Sequence, residues 1–159
     1  MGLRTLLSRC LSRLLKIFGG YSHKKEDLGP VSPEENLTRY VFSRKHFSPE
    51  KGIVKYGAFL PDSNGETSVF RISNLDDVTV WQIGRLIVAP GHQSPLRARA
   101  DIVTQSVLEE GLRVTVAPAP HPRHANIIGW SSDGSKHRLV ALKLAEKANL
   151  ILHDNYEEL

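Results

Sequence analysis

A proline-rich stretch in the second half of the chain groups side chains that are suited to acid–base and anion-binding chemistry. From Pro118 to Asn126 the chain reads Pro-Ala-Pro-His-Pro-Arg-His-Ala-Asn. Proline restricts the backbone, so side chains in such a loop are held at little entropic cost. We predict that His121 and His124 transfer protons. Arg123 and Asn126 are the predicted contacts for a phosphate or carboxylate. The alternative is a rigid loop whose histidines cap backbone groups or face solvent.

Two further arginines, Arg97 and Arg99, are separated by one residue. We expect them to converge with the proline-rich loop on an anion such as a phosphate or nucleotide. The alternative is a solvated face, with Asp101 pairing with Arg99. An enzyme would also require the loop to meet a second cluster in a cleft, such as His46 or His92.

Several other kinds of site are disfavoured by the sequence. Cys10 is the single cysteine, so neither a disulfide framework nor a cysteine-based zinc site is expected. His121 and His124 have metal-ligand spacing, but the prolines around them prevent a helical pair. The sequence contains neither a phosphate-binding loop of the Walker type nor a Gly-x-Ser-x-Gly motif. We therefore predict no metal and no cofactor.

The periodicity of apolar residues predicts an α+β domain that positions these side chains. Asn64-Gly65 predicts a hairpin turn between two of the strands. Helices are expected after Asn74 as an N-cap, from Asp101 to Gly111, and from Ser135 onward. Strands are predicted at Thr38–Ser43, Val54–Leu60, Thr67–Ile72, Leu112–Val116 and Ala125–Trp130.

This order of elements favours a single small domain over a doubly wound fold, because strands occur in pairs and do not alternate regularly with helices. The predicted fold class is α+β, with a mainly antiparallel sheet of about five strands packed with three helices. An N-terminal amphipathic helix precedes this domain.

Residues 1–18 have the pattern of that basic amphipathic helix. Apolar side chains recur at helical spacing on one side, and arginines and a lysine lie on the other. Charges interrupt the apolar run too often for a membrane span, which needs about 20 apolar residues. The helix is predicted to contact a membrane surface or a partner protein; a mitochondrial targeting peptide and packing on its own domain are the alternatives. The predicted contact residues are Leu3, Arg4, Leu7, Arg9, Leu11, Arg13, Leu14, Lys16 and Phe18.

The chain of 159 residues suits one domain with an arm. We divide it into the helix over residues 1–18, a flexible linker over 19–35, the globular domain over 36–153 and a tail over 154–159. Residues 1–25 contain six Lys or Arg and no Asp or Glu, and since the whole chain has a net charge of +4, the remainder has −2. A nearly neutral domain disfavours nucleic acid as a partner.

The function that these features predict is that of a small accessory or adaptor protein. Its helix would recruit it to a membrane surface or partner, and its domain would bind a protein or a small anionic ligand. We expect a cytoplasmic location, peripheral on a membrane, with the mitochondrial matrix after removal of the N-terminal segment as the alternative. The alternative function is an enzyme acting on a phosphorylated or nucleotide substrate through His121, Arg123 and His124.

Overall fold

The computed structural model of the protein describes residues 27–156. This part of the chain is α+β, with a mainly antiparallel six-stranded sheet and three α-helices. The predicted fold class is confirmed to that extent, and the sheet has one strand more than expected. The predicted N-terminal helix, residues 1–18, lies outside the described residues.

The large sheet has the strand order β6-β7-β4-β1-β5-β8, and every neighbouring pair is antiparallel. Its strands are β1 (Asn36–Val41), β4 (Thr67–Arg71), β5 (Ala98–Val103), β6 (Arg113–Val116), β7 (His124–Ile128) and β8 (Asn149–Leu152). A short hairpin is formed by β2 (Phe47–Ser48) and β3 (Ile53–Val54). The helices are α1 (Asp77–Ile83), α2 (Thr104–Leu108) and α3 (His137–Lys147), and a π-helical turn, Gly84–Val88, continues α1.

The two faces of the sheet are covered differently. On the first face, fully buried Leu37, Val69 and Ile127 form one core with residues of α2, α3 and the β2–β3 hairpin. On the second face, α1 contributes Val80 and Trp81 to a smaller core with aromatic side chains of β1 and β4. The side chains of β6 and β7 on this second face are exposed or half-buried. The β4–β7–β6 half of the second face is therefore largely accessible to solvent.

Gly84 allows the helical layer to approach the sheet on the second face. A Cβ at this position would lie 2.6 Å from Tyr40 Cε1 and 2.8 Å from Leu96 Cδ2, both of which belong to buried side chains. The Tyr40 hydroxyl also donates a hydrogen bond to the carbonyl of Val80, which fixes α1 over β1.

We expect Gly84→Ala to lower the free energy of unfolding by about 1–3 kcal/mol, the usual cost of overpacking a filled core. Gly91→Ala is the matched control, because a Cβ at Gly91 meets nothing within 4 Å. Urea denaturation of both variants measures the difference. Equal stabilities of the two variants would contradict the close approach described at Gly84.

The strand predicted over Val54–Leu60 is wrong. Only its first residue belongs to a strand, β3, and a 3-10 turn follows at Tyr56–Ala58. Ala58 and Phe59 are both buried although they are consecutive, which a turn permits and a strand with one buried face does not. The Asn64-Gly65 turn is present, with Gly65 at φ +77°, but β4 pairs with β1 and β7 and not with the segment before the turn.

The helix boundaries also differ from the sequence prediction. Asp76 and not Asn74 caps α1, and Asn74 adopts a left-handed conformation at φ 63°. Asp101 lies inside β5, because the strand continues to Val103 before α2 begins. Gly111 has the expected left-handed conformation, at φ +77°.

The segment that precedes β1 lies against the domain. The buried Arg71 donates hydrogen bonds to the carbonyls of Leu28 and Gly29, at 3.0 and 2.8 Å. It also forms a two-pronged ion pair with Glu35, with N–O distances of 2.7 and 2.6 Å. These contacts attach the end of the predicted linker, residues 19–35, to β4.

Candidate ligand-binding cleft

A cleft opens in the sheet where β1 and β4 separate. Their pairing ends at Thr38 and Phe70, although β1 continues to pair with β5 as far as Val41. Beyond Thr38 the side chain of Arg39 takes the place of the missing backbone donors. Its Nη1 donates to the carbonyl of Ser68 at 2.9 Å, and its Nε donates to the carbonyl of Ala58 at 3.2 Å. Arg39 thus satisfies a strand carbonyl that would otherwise lack a partner.

The cleft contains a cavity of about 150 Å³. The Arg39 Nη2 atom lies 4.0 Å from Asp62 Oδ1, which is beyond hydrogen-bond distance. Burial lowers the pKa of Arg39, and the charge of Asp62 opposes that effect. Since an arginine keeps its charge in proteins, the cavity has a cation in its wall. The cavity is lined by Arg39, Tyr40, Asp62, Ser68, Phe70, Val88 and His92.

Ser68 of β4 and His124 of β7 form a hydrogen-bonded pair on the second face of the sheet. Ser68 Oγ lies 2.7 Å from His124 Nε2, and His124 Nδ1 lies 2.7 Å from the carbonyl oxygen of Ala117. A carbonyl oxygen only accepts hydrogen bonds, so Nδ1 carries the proton. In the neutral ring, Nε2 then accepts a hydrogen bond from the Ser68 hydroxyl. His124 is thereby held in the tautomer of a general base.

The antiparallel register between β4 and β7 produces this pair. Phe70 lies opposite His124, and Ser68 lies opposite Asn126, so the Ser68–His124 contact is diagonal across the two strands. The rings of Phe70 and His124 are 5.1 Å apart between centroids. Asn126 Nδ2 donates to Glu66 Oε2 at 2.6 Å, which places a second polar pair beside the first.

Two predicted residues of the proline-rich loop have local structural contacts. His121 Nδ1 accepts a hydrogen bond from the backbone N–H of Arg123 at 3.2 Å. The Arg123 guanidinium donates to the carbonyls of Arg71 and Ser73, both at 3.2 Å, and the residue is 7% exposed. Anion binding by Arg123 stays a prediction, and it would require giving up these backbone contacts.

Arg97, which directly precedes β5, and Arg99, which lies within it, are both away from that loop. Arg99 pairs with Asp77 and with Asp101, as the sequence suggested for Asp101, and its guanidinium lies 5.1 Å from the ring centroid of Trp81. Arg97 Nη1 donates to the carbonyl of Tyr156 at 3.1 Å. Because β1 and β4 separate β5 from β7, the two strands are about 14 Å apart. The structure therefore does not bring Arg97 and Arg99 together with the proline-rich loop.

Of the two further histidines, His92 reaches the cleft. It lines the same cavity as Ser68, and its ring stacks on Phe42 with centroids 3.8 Å apart. Burial lowers the pKa of His92, and the charge of Arg39 lowers it further. His46 instead packs beside Gly57, and burial lowers its pKa too.

The lowered pKa of His92 predicts a dependence of stability on pH. The unfolded chain binds a proton at His92 more readily than the folded chain does. The contribution of His92 to the stability of the fold is therefore complete above its usual pKa of 6.5 and is lost as the pH falls below that value. We expect His92→Gln to lose less stability than the wild type between pH 7 and pH 5. Urea denaturation at several pH values measures the two slopes; identical slopes would show that His92 titrates normally.

Apart from His92, the residues that line the cleft were missed, and Arg39 has the clearest signal in the sequence. Arg39 alternates with Leu37 and Val41, so it occupies a half-buried position on an otherwise apolar strand face, which is unusual for a charged residue. Ser68 has no such signal, because its partner is 56 residues away and the contact depends on strand register. The Arg39 signal alone would have indicated a buried polar site near β1.

A second cavity, of about 410 Å³, lies beside the β2–β3 hairpin. One of its polar groups, the Ser48 hydroxyl, donates to Glu50 Oε2 at 2.9 Å. We favour the smaller cavity as the candidate site, because partners on several strands fix its polar groups. The larger cavity is lined by Arg44, Phe47, Ser48, Pro49, Glu50, Lys55 and Tyr156.

Within residues 27–156 there is no group of three His, Cys, Asp or Glu side chains arranged to hold a metal ion. In the same range, no helix is both long enough and apolar enough to cross a membrane. No protein-family model matches the chain, and the searches of curated proteins and of solved structures give no significant match. The cleft's own chemistry is the basis for inferring a function.

Proposed function

We propose that this protein is a small accessory protein whose α+β domain binds a small anionic ligand in the cleft between β1 and β4. One observation carries the proposal: Arg39 is held in the cavity wall by two backbone carbonyls, and among residues 27–156 its Nη2 has only a carboxylate 4.0 Å away beside it. A phosphate or carboxylate at this position would gain a charge-assisted hydrogen bond. His92 and the Ser68 hydroxyl line the same cavity and supply further polar groups.

The arrangement favours a small ligand over a large one. Arg39 has a side-chain exposure of 22%, whereas the side chain of Asp62 is 61% exposed. The cation is thus recessed, and its counter-ion lies at the rim. To contact Arg39, a ligand must therefore reach past the Asp62 carboxylate at the rim with a single anionic group.

The ligand proposal is tested by thermal shift on the full chain with inorganic phosphate, acetate and nucleoside monophosphates. We expect at least one of them to raise the Tm of the wild type, since a ligand at about 100 times its Kd stabilises by about 2.7 kcal/mol. Arg39→Lys keeps the charge but loses the fork of donors, so its shift should be smaller. Arg113→Lys, on the exposed edge strand β6, is the matched control. The same shift for wild type and Arg39→Lys, or none in the wild type, would reject an anion site at Arg39; the second result would favour a protein ligand.

The recruitment half of the proposal concerns residues 1–18. We propose that this segment places the protein on an anionic membrane surface in the cytoplasm, by its leucines and its arginines together. The experiment is co-sedimentation with vesicles that contain an anionic phospholipid, using the full chain and the substitutions Leu7→Asp and Leu11→Asp together. Binding should be lost in the doubly substituted chain. Equal binding would reject the membrane role and leave a partner protein or a mitochondrial address.

The alternative function, an enzyme acting on a phosphorylated or nucleotide substrate, is less well supported in its original form. Arg123 is occupied by backbone carbonyls, and His121 caps a local turn. His124 is the member of that predicted set with a contact to a residue of the cleft.

A further inference from the structure

We infer that Ser68 is a nucleophile, that His124 is its general base, and that together they hydrolyse a short acyl ester. The inference rests on the proposed function only for the cleft as the place where the substrate binds. It differs from anion binding because it requires a covalent step at Ser68.

The first support is the geometry of the chain of hydrogen bonds from Ser68 through His124 to Ala117. Nucleophilic catalysis by serine needs a base within hydrogen-bond distance and a third group that orients the base. Both distances are 2.7 Å, and the carbonyl of Ala117 determines which nitrogen of His124 faces the hydroxyl.

The second support is the restraint on each member of this chain. Ala117 and His124 are also joined through their backbones, since the Ala117 N–H donates to the His124 carbonyl at 3.0 Å. The imidazole lies against the ring of Phe70, and Ser68 lies inside a paired strand. A base that is held in this way loses little entropy when it accepts the proton.

The third support is access. Ser68 and His124 are both half-buried, and Ser68 lines the 150 Å³ cavity together with Arg39 and His92. A substrate in that cavity would lie beside the Ser68 hydroxyl. The cation of Arg39 can bind an acidic group on the substrate or stabilise the oxyanion that forms during attack.

The reaction balances without any further reagent. Ser68 Oγ attacks the carbonyl carbon of the ester, and its proton passes to His124 Nε2. The bond to the alcohol oxygen then breaks, and the alcohol leaves with that proton. Water next attacks the acyl group on Ser68 and gives a proton to Nε2, the carboxylic acid is released, and the proton returns to Ser68 Oγ. Because Ala117 offers a carbonyl and not a carboxylate, it orients His124 but stabilises the imidazolium less than an aspartate would.

The experiment treats the full chain with a fluorophosphonate probe, which phosphonylates activated serines, and locates the adduct by mass spectrometry. We expect one adduct, on Ser68, with none in Ser68→Ala. His124→Gln should slow labelling about 100-fold or more, the usual contribution of a general base. Ser48→Ala is the matched control and should label normally, because the Ser48 hydroxyl pairs with Glu50 and not with a histidine.

A further variant covers the case in which His124→Gln does not fold. In Ser68→Cys the thiol at position 68, distinguished from that of Cys10 by mass spectrometry of the peptides, should react faster with iodoacetamide than the thiol at the same position in the chain unfolded in urea at the same pH. No labelling of the wild type at Ser68, or equal rates with and without His124, would overturn the inference. If Ser68 is not labelled but an anion still raises the Tm in a way that depends on Arg39, anion binding is supported and the nucleophile is rejected. If Ser68 is labelled and no anion shifts the Tm, the nucleophile survives and the anion site is rejected.

Discussion

Replacing Arg71 with methionine is expected to lower the free energy of unfolding by about 3–5 kcal/mol, the cost of breaking a buried ion pair by removing one partner. Arg71 is 3% exposed, and its guanidinium donates to both carboxylate oxygens of Glu35. It also donates to the carbonyls of Leu28 and Gly29. Methionine has a similar length but no donors, so the carbonyls would lose this donor and the Glu35 carboxylate would keep the backbone N–H of Ser32 but no cation.

Urea denaturation of Arg71→Met and of Arg113→Met tests this prediction. Arg113 is exposed on β6, so its replacement should change stability by no more than about 0.5 kcal/mol. The hydrogen bond from Arg71 is the main cause of the lowered pKa of Glu35, whose usual value is 4.5. The stability that this lowered pKa contributes is present above pH 4.5 and is lost as the pH falls through the lower pKa of the folded state. The difference in free energy of unfolding between wild type and Arg71→Met should therefore decrease in acid. A difference in free energy of unfolding that is small at pH 7, or that does not change with pH, would show that the Arg71–Glu35 pair contributes little to stability.

The parts of the fold that local pattern determines were predictable from sequence. Alternation of apolar residues indicated the strands that became β1, β4, β6 and β7, close to their observed bounds. Gly111 was recognisable as a left-handed helix end. In these segments the preferred local conformation and the tertiary structure agree, so no distant contact is needed to select the outcome.

The candidate site was not predictable in the same way, because it depends on where a strand pair stops. Nothing in the residues of β1 indicates that its pairing with β4 ends at Thr38 while its pairing with β5 continues to Val41. That separation creates the cleft and gives Arg39 its two carbonyl acceptors. His124 was singled out for its place in a proline-rich loop, yet it is the first residue of β7, and its partner Ser68 follows from strand register.

The arginines differ in how far groups of the protein itself occupy each guanidinium. Arg71, Arg99 and Arg123 are each less than 10% exposed and are engaged by carbonyls or carboxylates of the protein. A buried arginine has five donors to satisfy, and a small domain satisfies them internally wherever it can. Arg39 is distinguished from these by its greater exposure and by the distance to its carboxylate. Within the described residues, Nε and Nη1 of the buried Arg99 also lack a hydrogen-bond partner, but Arg99 does not line the cavity. The useful criterion for a binding arginine is therefore an incomplete set of partners together with access to a cavity, which only the tertiary structure provides.

The orientation of α3 supplies the second large effect, because the helix buries a face that matches the one predicted from the sequence only in part. In the sequence, Leu139, Leu142, Ala145 and Ala148 recur at helical spacing, which predicts that they face the core. Ala145 is buried, but Leu139 is 60% exposed and Leu142 is 41% exposed. Leu144 and Ala141 are fully buried instead. Aliphatic residues occupy most of this helix, so two overlapping sets of apolar residues recur at helical spacing. The surface against which the helix packs determines which set is buried.

The buried set contains alanines where α3 meets the 3-10 turn at Tyr56–Ala58, since small side chains let the two backbones approach closely. We therefore expect Leu144→Ala to lower the free energy of unfolding by about 2–5 kcal/mol, through lost burial and the cavity left behind. Leu142→Ala, two residues away on the same helix, removes a side chain that is 41% exposed, so less buried apolar surface is lost and the cost should be clearly smaller. The two variants have the same composition and comparable helix propensity, so the difference between their urea midpoints reports the orientation of α3 directly. A greater loss for Leu142→Ala would mean that the helix buries the set that the sequence pattern alone indicates.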